Sequence, residues 1–401
     1  MQPKKIVIIG GGSAGMMAAE QLDSRYEVHL YEQGKTLGRK FLVAGKGGFN
    51  LTNQATGTAL YQHYSKLPAL QQALRQFDSQ AMRAWLADLG IVTYVGSSRR
   101  VFPLQGTKPI QVLQALRQRL INKGVHLHYQ HCWQGFDAQE RLLITNKDGA
   151  TQIVEADYYI FALGGASWAV TGSNQRWLAP FQALGIATPA FQASNCGIEI
   201  PWPSDFKARF AGQPLKNIAV SVEGFQLQGE ALITDYGLEG NLIYPLVPAL
   251  RPALKKHQKA SFSLDLKPYT TTESLQKTAS TPRLLPKNYV HAFKLQKAAF
   301  ALAKLYTNKN TYLNPSQFAE AIKNLKITAT SLRPIEEAIS TVGGIDTKEI
   351  QNHFSLQQKP SMFVIGEMLD WDAPTGGFLL QGCFSTASVC AHHLNQQLKT
   401  I

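Results

Sequence analysis

The sequence predicts an α/β protein: a doubly wound domain assembled from both ends of the chain, with a β-rich plus helical domain inserted between them. Three observations carry this. A continuous apolar run, Ile6 to Ile9, enters a glycine turn and then a helix-forming stretch. From about Ala190 that rhythm gives way to short alternating segments broken by glycine and proline. Strand and helix patterns of the first kind return after about residue 340. A chain of 401 residues is long for one core, which fits more than one domain.

Taken in order, Ile6 to Ile9 reads as a strand buried on both faces of a parallel sheet. Ala14 to Leu22 follows with helix formers, and Glu27 to Tyr31 reads as the next strand. Gln71 to Leu89 and Ile110 to Lys123 have helical periodicity, each followed by a glycine suited to a C-terminal cap, Gly90 and Gly124. Val125 to His128, Arg141 to Thr145 and Asp157 to Leu163 read as strands. Within the insert, Ile218 to Val222 and Ala231 to Thr234 alternate as antiparallel strands do. Residues 250–325 are rich in Lys, Ala and Leu and read as helical, Tyr289 to Tyr306 above all, with Phe293 and Phe300 seven apart on one face. Phe363 to Ile365 and a helix from about Ser385 to Leu398 complete the pattern. The expected division is 1–190 and 341–401 for the doubly wound domain, 191–250 and 326–340 for a β-rich domain, and 251–325 for a basic helical insert.

Gly10-Gly11-Gly12-Ser13-Ala14-Gly15 is a GxGxxG placed after a buried strand and opening a helix. Gly10 permits the tight turn, Gly12 lets backbone approach a pyrophosphate, and Gly15 lets helix and strand pack closely. The helix N-terminus offers N–H groups and partial positive charge to phosphate. Glu32, 20 residues beyond Gly12, ends the second strand where a carboxylate can bind ribose hydroxyls. The domain is therefore Rossmann-like and binds a dinucleotide. No second GxGxxG follows a strand, so a dedicated nicotinamide domain is not expected.

Which dinucleotide is decided by other segments. Leu37 to Asn53, reading LGRKFLVAGKGGFNLTN, resembles the loop of YhiN/BaiN-like (aminoacetone-oxidase-type) flavoproteins. Arg99-Arg100-Val101-Phe102-Pro103, Ala162 to Ser167, Phe363 to Asp370 and Thr375 to Gly382 resemble further motifs of that family, in order along nearly the whole chain. One departure is visible: many members carry Arg-Cys before the loop Asn, where this chain has Gly48-Phe49 before Asn50. That places it in a less characterised branch, and no role for that cysteine carries over.

The resemblance implies non-covalent FAD. Fingerprint and resemblance together give cofactor contacts at Gly10, Gly12, Ser13, Ala14, Gly15, Glu32, Gln33, Arg39, Lys40, Gly164, Gly366, Glu367, Gly376, Gly377 and Phe378. Glu367 sits where such proteins place an acidic residue near the ribityl chain. Gly376-Gly377 precede the last helix, whose N-terminus would stabilise negative charge on a reduced flavin ring. Asp235 to Gly240 resembles a family loop, making Tyr236 and Glu239 the acid–base candidates, although a glycine-bounded turn also accounts for it.

Three readings compete. The resemblance implies reduction of a carbon–carbon double bond, with uridine in ribosomal RNA as a special case, or oxidation of a small amine such as aminoacetone by oxygen. The third reading is a flavin-bearing RNA binder without catalysis. A reduced nicotinamide that docks transiently is one electron source.

Charge bears on the choice. Net charge is +13, and residues 251–310 hold twelve basic residues against Asp265 and Glu273. A polyanion such as ribosomal RNA accounts for that surplus, as does a lysine-rich solvated face. The aromatics there, Phe262, Tyr269, Tyr289, Phe293, Phe300 and Tyr306, are read mostly as core, with a base-stacking platform as the other option.

No metal site is expected. Cys132, Cys196, Cys383 and Cys390 lack ligand spacing, and the adjacent His392 and His393 face different ways on a helix. Few cysteines, no export signal and no membrane-length apolar run point to the cytoplasm and away from a membrane.

Overall fold

The computed structural model describes residues 2–43, 49–64 and 67–398, which form two compact units: residues up to Gln192 together with those from Ser340, and Ala193–Ile339.

The first unit is built on a five-stranded parallel sheet. Its labelled elements are β1 (Lys5–Ile9), α1 (Ser13–Gln21), β2 (Glu27–Glu32), β3 (His126–Tyr129), β4 (Tyr158–Phe161), β5 (Met362–Val364) and α2 (Phe378–Gln397). The strand order is β5-β4-β1-β2-β3, every pairing parallel. β1 lies in the middle, and Ile6, Val7 and Ile8 have no exposed surface. That explains why it reads as an unbroken apolar run rather than an alternation. A three-stranded antiparallel meander, Cys132–Phe136, Leu142–Thr145 and Thr151–Val154, sets Trp133 and Phe136 against Phe161 of β4.

The second unit holds a seven-stranded antiparallel sheet in the order 325–329, 260–265, 214–222, 225–233, 237–239, 198–199, 331–332. Its helices bury Tyr289, Phe293 and Phe318 in one aromatic cluster.

The structure corrects four readings of local structure. Gln71 to Leu89 is two helices, Pro68–Gln76 and Ser79–Asp88, because Asp78 accepts from the N–H groups of Gln80 and Ala81 and starts a new helix. The stretch 250–325 is not wholly helical: Ala260–Asp265 is a strand, buried between two others. Tyr289 to Tyr306 breaks into Tyr289–Ala292 and Lys297–Tyr306, with Lys294 at φ 49° between them. Phe293 and Phe300 thus share no helix, although both rings meet Phe318. The last helix begins at Phe378, earlier than Ser385.

Candidate flavin site and a second polar cluster

The turn between β1 and α1 is fixed by close backbone contact. Gly10 has φ 107°, and a Cβ there would lie 2.4 Å from the Ala162 carbonyl oxygen. A Cβ on Gly15 would lie 1.9 Å from the Gly10 carbonyl oxygen. At Gly12, by contrast, a Cβ would meet nothing within 4 Å. Gly12 therefore faces open space while its neighbours hold the turn. The N-terminus of α1, including Ser13 and Ala14, has no side-chain cap and no acidic residue in its first turn, as an anion-binding helix end requires.

Glu32 closes this end. Its Oε2 accepts from the Gly11 N–H at 2.9 Å and its Oε1 from the Gly34 N–H at 2.6 Å. Burial raises its pKa above the ordinary carboxylate value, and the two backbone bonds and Arg39 oppose that. Each oxygen keeps a second lone pair, so the carboxylate can also receive a ribose hydroxyl. Gln33 and Arg39 donate to the carbonyls of Gly172 and Val170, at 2.9 and 2.8 Å. Both thus tether the turn after Trp168, a residue held at φ 59°.

The C-terminal motif lies against the same turn. A Cβ on Gly366 would sit 2.9 Å from the Ala14 Cβ. Lys40 Nζ donates to Ser167 Oγ at 2.9 Å and to Glu367 Oε2 at 3.0 Å, joining three sequence motifs in one partly buried cluster. The Gly164 carbonyl accepts from Trp177 Nε1 at 3.0 Å, fixing the end of β4. Gly377, at φ 102°, packs its Cα onto the Thr52 backbone, where a Cβ would lie 2.3 Å from the carbonyl carbon. The Gly376 carbonyl accepts from Asn53 Nδ2 at 3.4 Å. The Phe378 ring packs against His63 and Tyr64.

Arg100 is a further candidate that sequence reasoning did not single out: its Nε lies 3.4 Å from where a Gly376 Cβ would be. It stood inside a quoted family motif, and the strand pairing of Asn53 with Arg100 is what brings it there. Of the motif loop, Ala44 to Gly48 lie outside the described residues, so Gly48 of the departing pair does too; Phe49 meets Phe41 edge-on. Cys383 is buried, and burial, then the Glu367 charge, pushes its thiol pKa far up, leaving it protonated.

These features fit FAD. Open backbone at Gly12, an uncapped helix end, a carboxylate with spare acceptor capacity and a cationic Lys40 match a pyrophosphate flanked by hydroxylated chains.

In the second unit, Gly237–Glu239 is a strand rather than a turn. Tyr236 Oη donates a short hydrogen bond to Glu239 Oε2. Burial and the Glu239 carboxylate raise the phenol pKa well above its ordinary value, so it stays protonated. The Arg333 guanidinium stacks 4.3 Å over the Tyr236 ring and pairs with Glu199 at 2.7 Å and Glu337 at 2.6 Å. Sequence reasoning found Tyr236 and Glu239 but not Arg333, which is nearly a hundred residues away.

Sequence reasoning also missed a histidine cluster. Among the described residues, Glu27, His29 and His126 each bring a ligand-type atom within 4.8 Å of the others. The signal was the alternation Glu-Val-His in β2 and His-Leu-His in β3.

The family model described as "HI0933-like protein Rossmann domain" matches residues 4–393. The chain is 23% identical to the 3-dehydro-bile acid delta(4,6)-reductase of Clostridium scindens, over 95% of this chain and 97% of that one. It is 24% identical to the ribosomal RNA dihydrouridine synthase of Haemophilus influenzae, over 98% of each. Among solved structures, the 3-ketosteroid delta1-dehydrogenase of Sterolibacterium denitrificans superposes with TM-score 0.54 at 11% identity, covering 99% of this chain and 100% of that one. That likeness shows the fold. Among the described residues no helix is long and apolar enough to cross a membrane. The chain belongs to the HI0933-like Rossmann family.

Proposed function

We propose that this chain uses non-covalent FAD to reduce a carbon–carbon double bond, and that the substrate is a base in ribosomal RNA, with uridine as the first choice. The observation that carries the RNA reading is the basic stretch. Of its twelve cationic side chains all but Arg251 and Lys267 are exposed, and only Asp265 and Glu273 oppose them within the segment. One pyrophosphate does not call for such a surplus, whereas a polynucleotide does. The relatives named as a delta(4,6)-reductase and as a dihydrouridine synthase match 95% and 98% of the chain, which supports the same choice.

The stretch supplies charge rather than a stacking platform. Phe262, Tyr289 and Phe293 are buried in the core, Phe300 and Tyr306 are half-buried, and Tyr269 alone of the six stands out, 75% exposed. Single-strand binding through Tyr269 and the lysines is the expected mode.

Reduced FAD, when bound, supplies the hydride; a transiently docking NADH or NADPH is the proposed electron source. Gly12 and α1 would hold the pyrophosphate, Glu32 the ribose, and Lys40, Glu367 and the Gly376-Gly377 turn the flavin end. Saturating a C=C bond also needs a proton on the second carbon. We assign that proton to Tyr236 Oη, kept protonated by burial and braced by Glu239 and Arg333. Tyr236→Phe then leaves flavin reduction by the electron donor intact and lowers substrate turnover by about 10²-fold or more. Equal loss in both half-reactions counts against the assignment.

The decisive test is nucleoside analysis of ribosomal RNA from a strain lacking this chain. Loss of a dihydrouridine restored by the wild type, and not by Gly12→Ala, supports the reading. Unchanged RNA, with purified yellow protein that reduces unsaturated ketones or oxidises aminoacetone, replaces it with a small-molecule enzyme.

A further inference from the structure

The amino ends of β2 and β3 carry a side-chain cluster that the flavin site does not use. Side chains two apart in a strand share a face, so Glu27, His29 and Tyr31 of β2 lie together with His126 and His128 of β3. The register sets His29 beside His126 and Tyr31 beside His128. The His29 and His126 rings stack at 4.6 Å with planes 17° apart, and Tyr31 stacks on His128 at 4.3 Å. His29 Nε2 lies 2.7 Å from Glu27 Oε1, and its Nδ1 lies 2.9 Å from His128 Nε2.

We propose that Glu27, His29 and His126 form a binding site for one divalent transition cation of the zinc class. Two imidazoles and a carboxylate are a recognised ligand set for that class, with the fourth position left to water. Donor atoms in a tetrahedral site stand about 3.3 Å apart, given metal–ligand bonds of about 2.0–2.1 Å. The present spread of up to 4.8 Å closes by turning the exposed Glu27 and His126 side chains, while the rings already lie side by side.

His128 completes the arrangement from outside. With His29 bound to the cation through Nε2, its Nδ1–H donates to His128 Nε2, which orients the ring as outer partners of metal-bound histidines do. The strands' pairing puts Lys5 next to Glu27, and its charge offsets part of the carboxylate's pull. The cation is therefore held mainly by nitrogen ligands, which favours zinc, nickel or copper over magnesium or calcium. Glu27 begins β2 and Glu32 ends it, roughly 16 Å away at about 3.3 Å per residue. The site is thus at the opposite end of the sheet from the pyrophosphate turn, and its effect is to clip the edge strand β3 to β2.

The test uses untagged, FAD-loaded protein titrated with zinc chloride by calorimetry, with thermal unfolding followed in parallel. Saturable binding of one zinc per chain is expected, with a melting point raised by a few degrees. His126→Gln and His29→Gln should each weaken binding by about tenfold or more. His126 is exposed, so its variant should keep the flavin absorbance of the wild type. His392→Gln, on an exposed position of α2, should bind as the wild type does. Absence of saturable binding, or zinc binding that both His126→Gln and His29→Gln leave unchanged, overturns the proposal.

Discussion

At the scale of single residues, the glycines of the fingerprint divide by what a methyl group would strike. Gly12→Ala adds a Cβ into open space, so the protein should fold with an unchanged melting point when free of flavin, yet bind FAD about tenfold or more weakly. Gly15→Ala drives a Cβ into the Gly10 carbonyl and should fail to give folded protein at all. Flavin fluorescence titration and thermal unfolding separate the two. Glu32→Ala removes the acceptor of two backbone N–H groups, a change of about 1.5–3 kcal/mol for a charged acceptor, and should weaken FAD by about 10- to 100-fold. The fingerprint was legible because its residues act within one turn of chain. Arg100 and Arg333 were not, because each meets its partners through pairings between strands far apart in sequence.

At the scale of elements, periodicity located β1, β2 and α1 to within a residue or two, since burial there follows local pattern. It failed at Asp78, where a cap restarts a helix without interrupting the apolar spacing. It failed again at Ala260–Asp265, whose neighbours in sequence are lysine-rich helices and whose β character comes from the strands on either side. The contact between α2 and the loop before β5 adds a pH dependence. His353 stacks on His393 at 3.6 Å, and burial, then the His393 charge, lowers its pKa to about 4. Its unfolded value is near 6.5, so the unfolded chain binds the extra proton first as pH falls. This contribution to stability is whole above pH 6.5 and is lost progressively between there and about pH 4. Urea midpoints at pH 7, 5.5 and 4.5 should fall less steeply in His353→Gln than in the wild type; parallel curves would show that His353 does not take part.

At the scale of the whole molecule, the return of Rossmann character after residue 340 showed in the sequence as a change of rhythm, and charge asymmetry showed as a count. What the count did not reveal is how the segment divides: its lysines point outward while most of its aromatics pack inward. If RNA is the substrate, replacing Lys287, Lys294 and Lys297 by Gln should cut the slope of log affinity against log salt by about 2, near 0.7 for each single-strand phosphate contact. Filter binding across a salt series measures it, and an unchanged slope would remove those lysines from the interface.

The ion pair between Lys40 and Glu367 spans 327 positions of sequence, and that sets an order of events during translation. The nucleotide-binding turn leaves the ribosome early, yet its lysine has no carboxylate to meet, and α1 no α2 to lie against, until the final helix emerges. At 5–20 residues per second that wait is roughly 15–70 s. The intervening antiparallel unit is synthesised first. If the chain binds FAD as proposed, capture falls among the last steps in its making, and a nascent chain stalled before β5 would carry the fingerprint without its C-terminal partners.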